Sequence, residues 1–423
     1  MVNICLYFHV HQPYRMRKYS VFDIGHNLHY FDEEKNREVL RKVATKCYLP
    51  ANNIMLELIN KYKDTDRKFK VSYSITGVIL EQFERYEPAV LESFRKLAAT
   101  GCVEFVSETY YHSLAFLYSK DEFKSQVEMH RQKIKSLFGQ EPTVFRNTEL
   151  IYNNELGKFL ESMGFTATLT EGADHIMVWR NPNYVHRIQD GTMRLLLKNY
   201  KLSDDIAFRF GQKSWNEYPL SVDKYAQWIH ASDGHAVNLF MDYETFGEHQ
   251  WEDTGIFEFL RSLPDALFKN PGTTFLTVSE LARYEPVGEL DIHNFISWAD
   301  IERDLSAWKG NHMQDSALSE LYAIETAVKE SRNAALLEDW RKLTTSDHFY
   351  YMCTKYFNDG DVHKYFNPYE TPYESYINFM NILNDVVHRL NRINREKRLA
   401  IEMQQGYHAP RPSITEKPVN IIQ

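Results

Sequence analysis

The sequence predicts an α/β barrel followed by a C-terminal helical region. Short apolar runs alternate with amphipathic helical segments from residue 3 to residue 278. Parallel strands covered by helices produce this alternation, and roughly seven or eight such units favour a barrel of the TIM type, with some irregularity. From Asp315 onward the periodicity is helical, which indicates a region without strands.

Apolar and β-branched content identifies the candidate strands. In chain order they are NICLYFHV (3–10), KVSYSIT (70–76), CVEFVSE (102–108), TVFRN (143–147), FTATLT (165–170), MRLLLKNY (193–200), AVNLFMDY (236–243) and TTFLTV (273–278). Proline and glycine mark the ends of helices between them. PAVLESFRKLAAT (88–100) begins with Pro88 and is followed by Gly101, and KDEFKSQVEMHRQKIKSLF (120–138) is followed by Gly139.

The chain divides into three predicted parts. Residues 1–290 form the barrel, and residues 291–400 form a region of about three helices. Residues 401–423 contain several prolines and no periodicity, so we expect an extended tail there.

Composition and charge argue against several classes of partner. The net charge is −9 and no long block of Lys and Arg is present, so we expect no nucleic-acid partner. The first residues do not have the pattern of a signal peptide, and no apolar run approaches the roughly 18 residues of a membrane span. The cysteines lie far apart without a CxxC pair, which predicts neither a disulfide framework nor a zinc cluster. We therefore expect a cytoplasmic protein without membrane contact.

Polar side chains follow several predicted strands, at the edge where barrel enzymes have their active sites. The strand ends in question are HVHQPY, SETYYH, RNTEL and MDYETFGEHQW. The candidate residues at these ends are His9, His11, Glu108, His112, Arg146, Glu149, Asp242, Glu244, Glu248, His249 and Trp251. Because all of them fall just beyond apolar strands, on one predicted rim, they indicate a single site.

Each of these residues also has a structural alternative. Glu149 has the position of an acid before a helix that begins near Asn153, where the helix dipole favours a negative charge. His9 and His11 alternate along an extended chain, so both point to one face, and they are also consistent with ordinary strand residues. Asp242 and Glu244 are also consistent with acids of a surface loop.

Two chemistries use such a rim. In glycosidic bond cleavage one carboxylate attacks the anomeric carbon and another protonates the leaving oxygen. In hydrolytic deacetylation His9, His11, His112 and a carboxylate would hold a divalent metal. The 27 Tyr, 26 Phe and 7 Trp favour the first chemistry, because sugar rings need flat stacking partners, and the lack of an HxxxH pair weakens the second.

Five segments resemble, in order, the motifs of glycoside hydrolase family 57, whose members act on α-glucans. They are HVHQPY, GCVEFVSETYYH, FRNTEL, MDYETFGEH and SWADIERDLSAWKGN. They extend from residue 7 to about residue 312, and RDLSAW in the last segment is similar to the α-amylase-like branch of that family.

The resemblance implies an incomplete (β/α)7 barrel and a helical region that completes the substrate cleft. It implies a retaining enzyme that cleaves α-1,4-glucans or malto-oligosaccharides by double displacement, without a cofactor or a metal. Glu149 falls at the nucleophile and Asp242 at the acid/base. The residues implied or predicted to bind the sugar are His9, His11, His112, Trp251, Trp298, Asp304 and Trp308.

Alternatives remain open on this scaffold. A 4-α-glucanotransferase would use the same two carboxylates and differ in whether water or a sugar accepts the glycosyl group. Glu244 is the rival of Asp242 for the acid, and Glu108 or Glu155 would be the next candidates for the nucleophile. For Asp242 we expect a raised pKa, because of partial burial and the neighbouring charge of Glu149.

Overall fold

The computed structural model describes residues 3–355 and 367–404. Its strands are β1 (Asn3–Val10), β2 (Val71–Ile75), β3 (Val103–Phe105), β4 (Val144–Arg146), β5 (Ala167–Glu171), β6 (His186–Ile188), β7 (Arg194–Lys198), β8 (Ala236–Asp242) and β9 (Glu289–Leu290). Its α-helices are α1 (Glu33–Val43), α2 (Leu49–Tyr62), α3 (Gly77–Tyr86), α4 (Pro88–Ala99), α5 (Lys120–Phe138), α6 (Asn154–Ser162), α7 (Asp174–Met177), α8 (Tyr200–Asp204), α9 (Val222–His230), α10 (Ile256–Phe268), α11 (Val278–Leu281), α12 (His312–Ala323), α13 (Glu325–Glu330), α14 (Ala334–Leu343), α15 (Ser346–Tyr350) and α16 (Pro372–Gln404).

Parallel strands form a ring with two irregular seams. One sheet has the order β3-β2-β1-β8, and the other has the order β4-β5-β7-β6-β9. A bridge between Ser107 and Phe145 joins the end of β3 to β4. Between β7 and β8, Asn199 N donates to Asn238 O (2.9 Å) and Asn238 Nδ2 donates to Leu197 O (2.8 Å). The predicted irregular (β/α)7 barrel is therefore confirmed, with β6 and β9 outside the ring.

The segment 273–278 is not the strand that its composition predicts. Its pairing with β1 is a single bridge between Phe275 and Ile4. Strand β2 pairs with the carboxyl half of β1, Tyr7–Val10. The segment 273–278 hydrogen-bonds to Ile4, near the amino end of β1, which β2 does not reach. The short strands β6 and β9 were not predicted, because two or three residues leave no periodic signal.

Alternation along β1 directs the first site residue into the barrel. Every second side chain packs outward against helices α1–α4, and these residues are Ile4, Leu6, Phe8 and Val10. Cys5 and Tyr7 pack inside the ring with residues of β4, β5 and β8. His9 follows in the same register, so its side chain points into the barrel at the carboxyl end of the strand.

Helix α5 has the bounds that the sequence predicts. The Ser119 side chain accepts a hydrogen bond from Glu122 N (3.1 Å) at its start. Gly139 ends it in the left-handed conformation (φ 70°), which glycine adopts without a Cβ clash.

Within residues 312–355 and 367–404, the C-terminal region contains helices α12–α16, where about three helices were expected. Trp308 and Trp340 are buried in its apolar core. Helix α16 continues to Gln404, so the predicted tail 401–423 begins as helix, and its residues 405–423 lie outside the described part of the chain. No helix among the described residues is long and apolar enough to cross a lipid bilayer.

Candidate active site

Glu149, the predicted nucleophile, lies on a strained turn at the carboxyl end of β4. Glu149 has a φ of 56° and Leu150 a φ of 53°, both in the left-handed region. This conformation costs on the order of 1–3 kcal/mol for each non-glycine residue, and such strain concentrates at active sites. His112, which contacts Glu149, also has a positive φ (51°). No sequence pattern signals this strain.

The Glu149 carboxylate is held by two ring N–H groups and is only 5% exposed. His112 Nε2 lies 2.9 Å from Oε1, and Trp298 Nε1 donates to Oε2 at 2.6 Å. Helix α6 is capped by Asn153, whose side chain accepts from Leu156 N (2.9 Å). The capping role considered for Glu149 is therefore filled by Asn153.

Asp242, the predicted acid/base, ends β8 and its side chain is 31% exposed. Its Oδ1 lies 3.4 Å from His9 Nδ1. Burial alone would raise the pKa of Asp242, but the hydrogen bond and charge of His9 and the charge of His249 outweigh it and lower the pKa. The expected raised pKa was wrong, because the histidines around this carboxyl favour its ionised form.

Glu244, the rival acid, has the opposite shift. It is 4% exposed and accepts a hydrogen bond from the Tyr48 hydroxyl. Burial and the charge of Asp242 raise its pKa to about 8. At neutral pH, Glu244 therefore carries a proton and Asp242 does not.

Two cavities meet at these residues. The smaller has a volume of about 50 Å³ and is lined by His9, His11, Gln12, Pro13, His112, Glu149, Asp242, Glu244, His249, Asp347 and Tyr351. The larger is a cleft of about 740 Å³, and Asp242 and His249 line it as well. The structure thus brings together both predicted catalytic carboxylates and all three predicted histidines.

The ring nitrogens of these histidines contact protein groups. His11 Nδ1 lies 2.8 Å from Thr76 Oγ1, and His11 Nε2 lies 3.0 Å from Asp347 Oδ2. Burial and the charge of His112 lower the pKa of His11 to about 4, so it is neutral above that pH. His9 and His112 lie against the two catalytic candidates. These contacts indicate that His112 orients the Glu149 carboxylate and that His9 orients the Asp242 carboxylate.

Two predicted tryptophans line the large cleft. Trp298 reaches Glu149 from the segment that connects the barrel to the helical region. Trp251 is 52% exposed, and its ring lies 5.1 Å from Lys46 Nζ. Both indole rings therefore form part of the wall of the large cleft.

A set of charged side chains holds the segment that carries Trp298. Arg303 Nη1 donates to Glu171 Oε2 (2.7 Å), and Lys198 Nζ donates to Asp204 Oδ1 (3.0 Å). Lys198 Nζ also lies 5.3 Å from the centroid of the Trp298 ring. These ion pairs link the connecting segment to the ends of β5 and β7.

The other two predicted sugar-binding residues are not among those that line either cavity. Trp308 is 1% exposed and packs in the helical core, with its ring 6.2 Å from that of Tyr350. Asp304 is exposed on its loop and accepts a hydrogen bond from Ser306 N (2.8 Å). Both stabilise the segment around Trp298 rather than facing the cleft.

Several residues at the site were missed by sequence reasoning. The helical region contributes Asp347, Tyr350 and Tyr351 to the cavities, and the ends of α8 and β7 contribute Asp204 and Lys198. The run SDHFYY concentrates polar and aromatic residues in one short helix, but no strand precedes it. A search limited to strand ends therefore could not find it.

Among the residues that the structure describes, two groups of three side chains have ligand atoms close enough for a metal ion, within 4.8 Å of one another. They are His9, Glu108 and His112, and His11, His112 and Asp347. In the first group the Arg146 guanidinium already supplies a positive charge, 3.3 Å from His9 Nε2 and 3.9 Å from Glu108 Oε2. His112 belongs to both groups, and burial lowers its pKa while hydrogen bonds to Glu108 and Glu149 raise it, to about 9 in total. A metal ion in either group would therefore have to displace a proton from His112.

A barrel with paired carboxylates at the carboxyl ends of its strands is typical of a glycoside hydrolase. The sequence model of glycosyl hydrolase family 57 matches residues 5–293. The chain belongs to glycosyl hydrolase family 57, which confirms the resemblance seen in its motifs.

Relatives of known sequence or structure agree with this membership. A protein of Methanocaldococcus jannaschii described as "Putative alpha-amylase" is 47% identical over 392 residues, which cover 89% of this chain and 82% of that protein. A branching enzyme of the same family from Pyrococcus horikoshii superposes with a TM-score of 0.63 at 15% identity, covering 96% of this chain and 91% of that one. The 4-α-glucanotransferase of Thermococcus litoralis has a TM-score of 0.61 at 17% identity, covering 82% of this chain and 56% of that one. The two structures establish the fold, and the chain matches little more than half of the glucanotransferase.

Proposed function

We propose that this protein is a retaining hydrolase of α-1,4-glucans, with Glu149 as nucleophile and Asp242 as acid/base. The observation that carries the proposal is that both carboxylates line one small cavity at the strand ends, each against a histidine. The relative that is 47% identical over most of the chain is described as an α-amylase, which favours an α-glucan as substrate.

The first step forms a glycosyl-enzyme intermediate. A Glu149 oxygen attacks the anomeric carbon, the bond to the leaving oxygen breaks, and that oxygen takes a proton from Asp242. His112 and Trp298 orient the Glu149 carboxylate through its two oxygens. In the second step water attacks the anomeric carbon, Asp242 accepts its proton, and Glu149 leaves.

Asp242 is preferred over Glu244 for proton transfer because of access. Asp242 lines both cavities and is 31% exposed, whereas Glu244 is 4% exposed and lines only the smaller one. A leaving group in the large cleft would contact Asp242. Glu244 is the neighbouring carboxyl that carries a proton at neutral pH, and it is buried under Tyr48 rather than open to the cleft.

The large cleft has the composition of a sugar-binding surface. Trp251, Trp298 and Phe208 offer flat faces, and charged side chains lie between them. Aromatic faces with a few placed polar groups are typical of small-molecule sites. We infer that glucosyl units on the leaving side of the scissile bond occupy this cleft.

The decisive experiment follows the products formed from maltoheptaose. We expect shorter oligosaccharides, an α-anomer as first product by proton NMR, and a loss of roughly 10⁴-fold or more in kcat for Glu149→Gln. The matched control is Glu155→Gln, since Glu155 is an exposed residue of α6 paired with Lys120 (2.9 Å). Near-normal turnover by Glu149→Gln, or a β-anomer as first product, would reject the proposed mechanism. Oligomers longer than the substrate would instead indicate transfer, as in a glucanotransferase.

A further inference from the structure

We propose that Glu108 is a positioning residue that orients His112 against Glu149 and, through Arg146 and His9, reaches Asp242. The inference rests on the proposed function, since it concerns the two carboxylates of that reaction. Glu108 follows β3 and is fully buried. In both His9 and His112, one ring nitrogen faces Glu108 and the other faces a reacting carboxylate, Asp242 or Glu149 respectively.

The hydrogen bonds run continuously from Glu149 to Glu108. His112 Nε2 lies 2.9 Å from Glu149 Oε1, and His112 Nδ1 lies 3.4 Å from Glu108 Oε2. A guanidinium or a protonated imidazole can only donate, and a carboxylate can only accept. With a carboxylate at each nitrogen, His112 therefore donates both of its protons.

The same Glu108 oxygen faces the second histidine. His9 Nε2 lies 3.4 Å from Glu108 Oε2 and 3.3 Å from Arg146 Nη1, and His9 Nδ1 lies 3.4 Å from Asp242 Oδ1. His9 therefore lies between the two sides, with Nδ1 facing Asp242 and Nε2 facing both Arg146 and Glu108. The two imidazole rings stack with centroids 4.8 Å apart, so a shift of one ring moves the other.

Charged and titratable groups surround His112 on several sides. Glu108 and Glu149 face its two nitrogens as anions, Arg146 is a nearby cation, and His9 stacks on its ring with Asp242 beyond it. Burial lowers the pKa of His112, but the hydrogen bonds to the two glutamates more than reverse this and raise it to about 9. The His11 ring, 4.2 Å away, is held neutral by its own low pKa and adds no charge. Glu108 thus helps to keep a cation beside the nucleophile.

A purely structural buried carboxylate would have both oxygens satisfied. Glu108 Oε1 has no hydrogen-bond partner among the described residues, although it is inaccessible to solvent. An unsatisfied buried acceptor costs about 1–3 kcal/mol, and more when it is charged. Retaining this charge at a cost in stability is consistent with a role in orienting the site.

The first test follows the ionisation of His112 by NMR in protein labelled at histidine, with the resonance assigned from the spectrum of His112→Gln. In the unmodified protein we expect His112 to stay charged at neutral pH and to titrate near pH 9. In Glu108→Gln we expect it to titrate at least about one pH unit lower, because an anionic partner is lost. A His112 that titrates between pH 6 and 7 in the unmodified protein would overturn the proposal, whether or not the variant folds.

The second test is kinetic and uses a matched substitution. Glu104→Gln changes a glutamate within β3, four residues before Glu108, whose carboxylate accepts from Ser279 N (3.0 Å). For Glu108→Gln we expect kcat to fall roughly 10–100-fold with KM nearly constant, as for other residues that orient ligating or reacting groups. Glu108→Asp, which keeps the charge, should recover the His112 titration. Equal kinetics and equal titration in Glu108→Gln and Glu104→Gln would refute the proposal. Absence of glucan turnover in the unmodified protein would refute the proposed function and leave the titration test valid.

Discussion

The two sides of the small cavity hold their carboxylates in opposite ways. Glu149 is 5% exposed, lies on two consecutive left-handed residues, and is bound by two ring N–H groups. Asp242 ends a regular strand, is 31% exposed, and lies against one histidine at 3.4 Å. One carboxylate is immobilised, and the other is accessible from the large cleft.

This difference matches the two tasks. A nucleophile must meet one carbon atom from one direction, so orientation by fixed donors and a strained backbone serves it. An acid/base must exchange a proton with a leaving group and then with water, so it needs access to both. Asp242 has this access, whereas Glu244, the carboxyl of the pair that is protonated at neutral pH, does not line the large cleft.

The largest expected effect separates Asp242 from Glu244. We expect Asp242→Asn to lower kcat on malto-oligosaccharides by roughly 10²–10⁴-fold, because general acid catalysis is lost. On nitrophenyl maltosides the loss should be much smaller, since that leaving group departs without a proton. Glu244→Gln should lower both activities by a similar and smaller factor. A loss confined to poor leaving groups in Glu244→Gln, but not in Asp242→Asn, would transfer the acid role to Glu244.

The next effect tests the immobilised side. Trp298→Phe keeps an aromatic ring but removes the N–H that donates to Glu149 Oε2. A hydrogen bond to a charged group contributes about 1.5–3 kcal/mol, so we expect kcat to fall about 10–100-fold in steady-state assays. Trp308→Phe is the control, because Trp308 Nε1 is buried without a hydrogen-bond partner among the described residues. Equal losses in the two variants would attribute the effect to packing.

The barrel could be predicted from the sequence because its signals are local. The apolar run of β1 and the caps of α5 lie within a few residues of the elements that they define. The rim residues His9, Glu149 and Asp242 follow such runs directly. Position at a strand end is therefore sufficient to bring them to one site, once a closed barrel is assumed.

The remaining features depend on contacts between distant parts of the chain. Asp347 reaches His11 across 336 positions, and the left-handed turn at Glu149 is stabilised by a hydrogen bond from Trp298 N to Glu149 O (3.1 Å). The pKa of Asp242 was wrongly predicted for the same reason, since His249 and His9 act through space. Trp308 and Asp304 share a motif with Trp298, but sequence proximity does not tell which of the three faces the cleft.

A smaller effect is expected where the cleft is open. Trp251 is more than half exposed and offers one stacking face, so Trp251→Ala should raise KM for maltoheptaose by about 3- to 10-fold. The kcat should change little, because Trp251 lines the large cleft and does not line the small cavity that holds Glu149. Trp179→Ala is the matched control, since Trp179 is exposed and is not among the residues that line the cavities. A fall in kcat without a change in KM would show that Trp251 shapes the site and does not bind sugar.

The smallest effect concerns stability and follows from the proton on Glu244. Its pKa is about 8 in the folded protein, above the ordinary value of 4.5. Between these two values the folded state binds more protons than the unfolded state, so this group's contribution to stability is complete below pH 4.5 and declines as the pH rises toward 8. Glutamine is neutral at every pH and still accepts from the Tyr48 hydroxyl, so Glu244→Gln should lack this decline.

The measurement is the difference in Tm between the unmodified protein and Glu244→Gln, from pH 5 to pH 8.5. We expect the unmodified protein to lose about 2–4 °C relative to the variant across this range. Groups shared by the two proteins cancel in the difference, and Asp242 titrates below the range because its pKa is lowered. Parallel Tm curves would mean that Glu244 is already ionised at pH 5. In that case Glu244 would not be the carboxyl that carries the proton of this neighbouring pair.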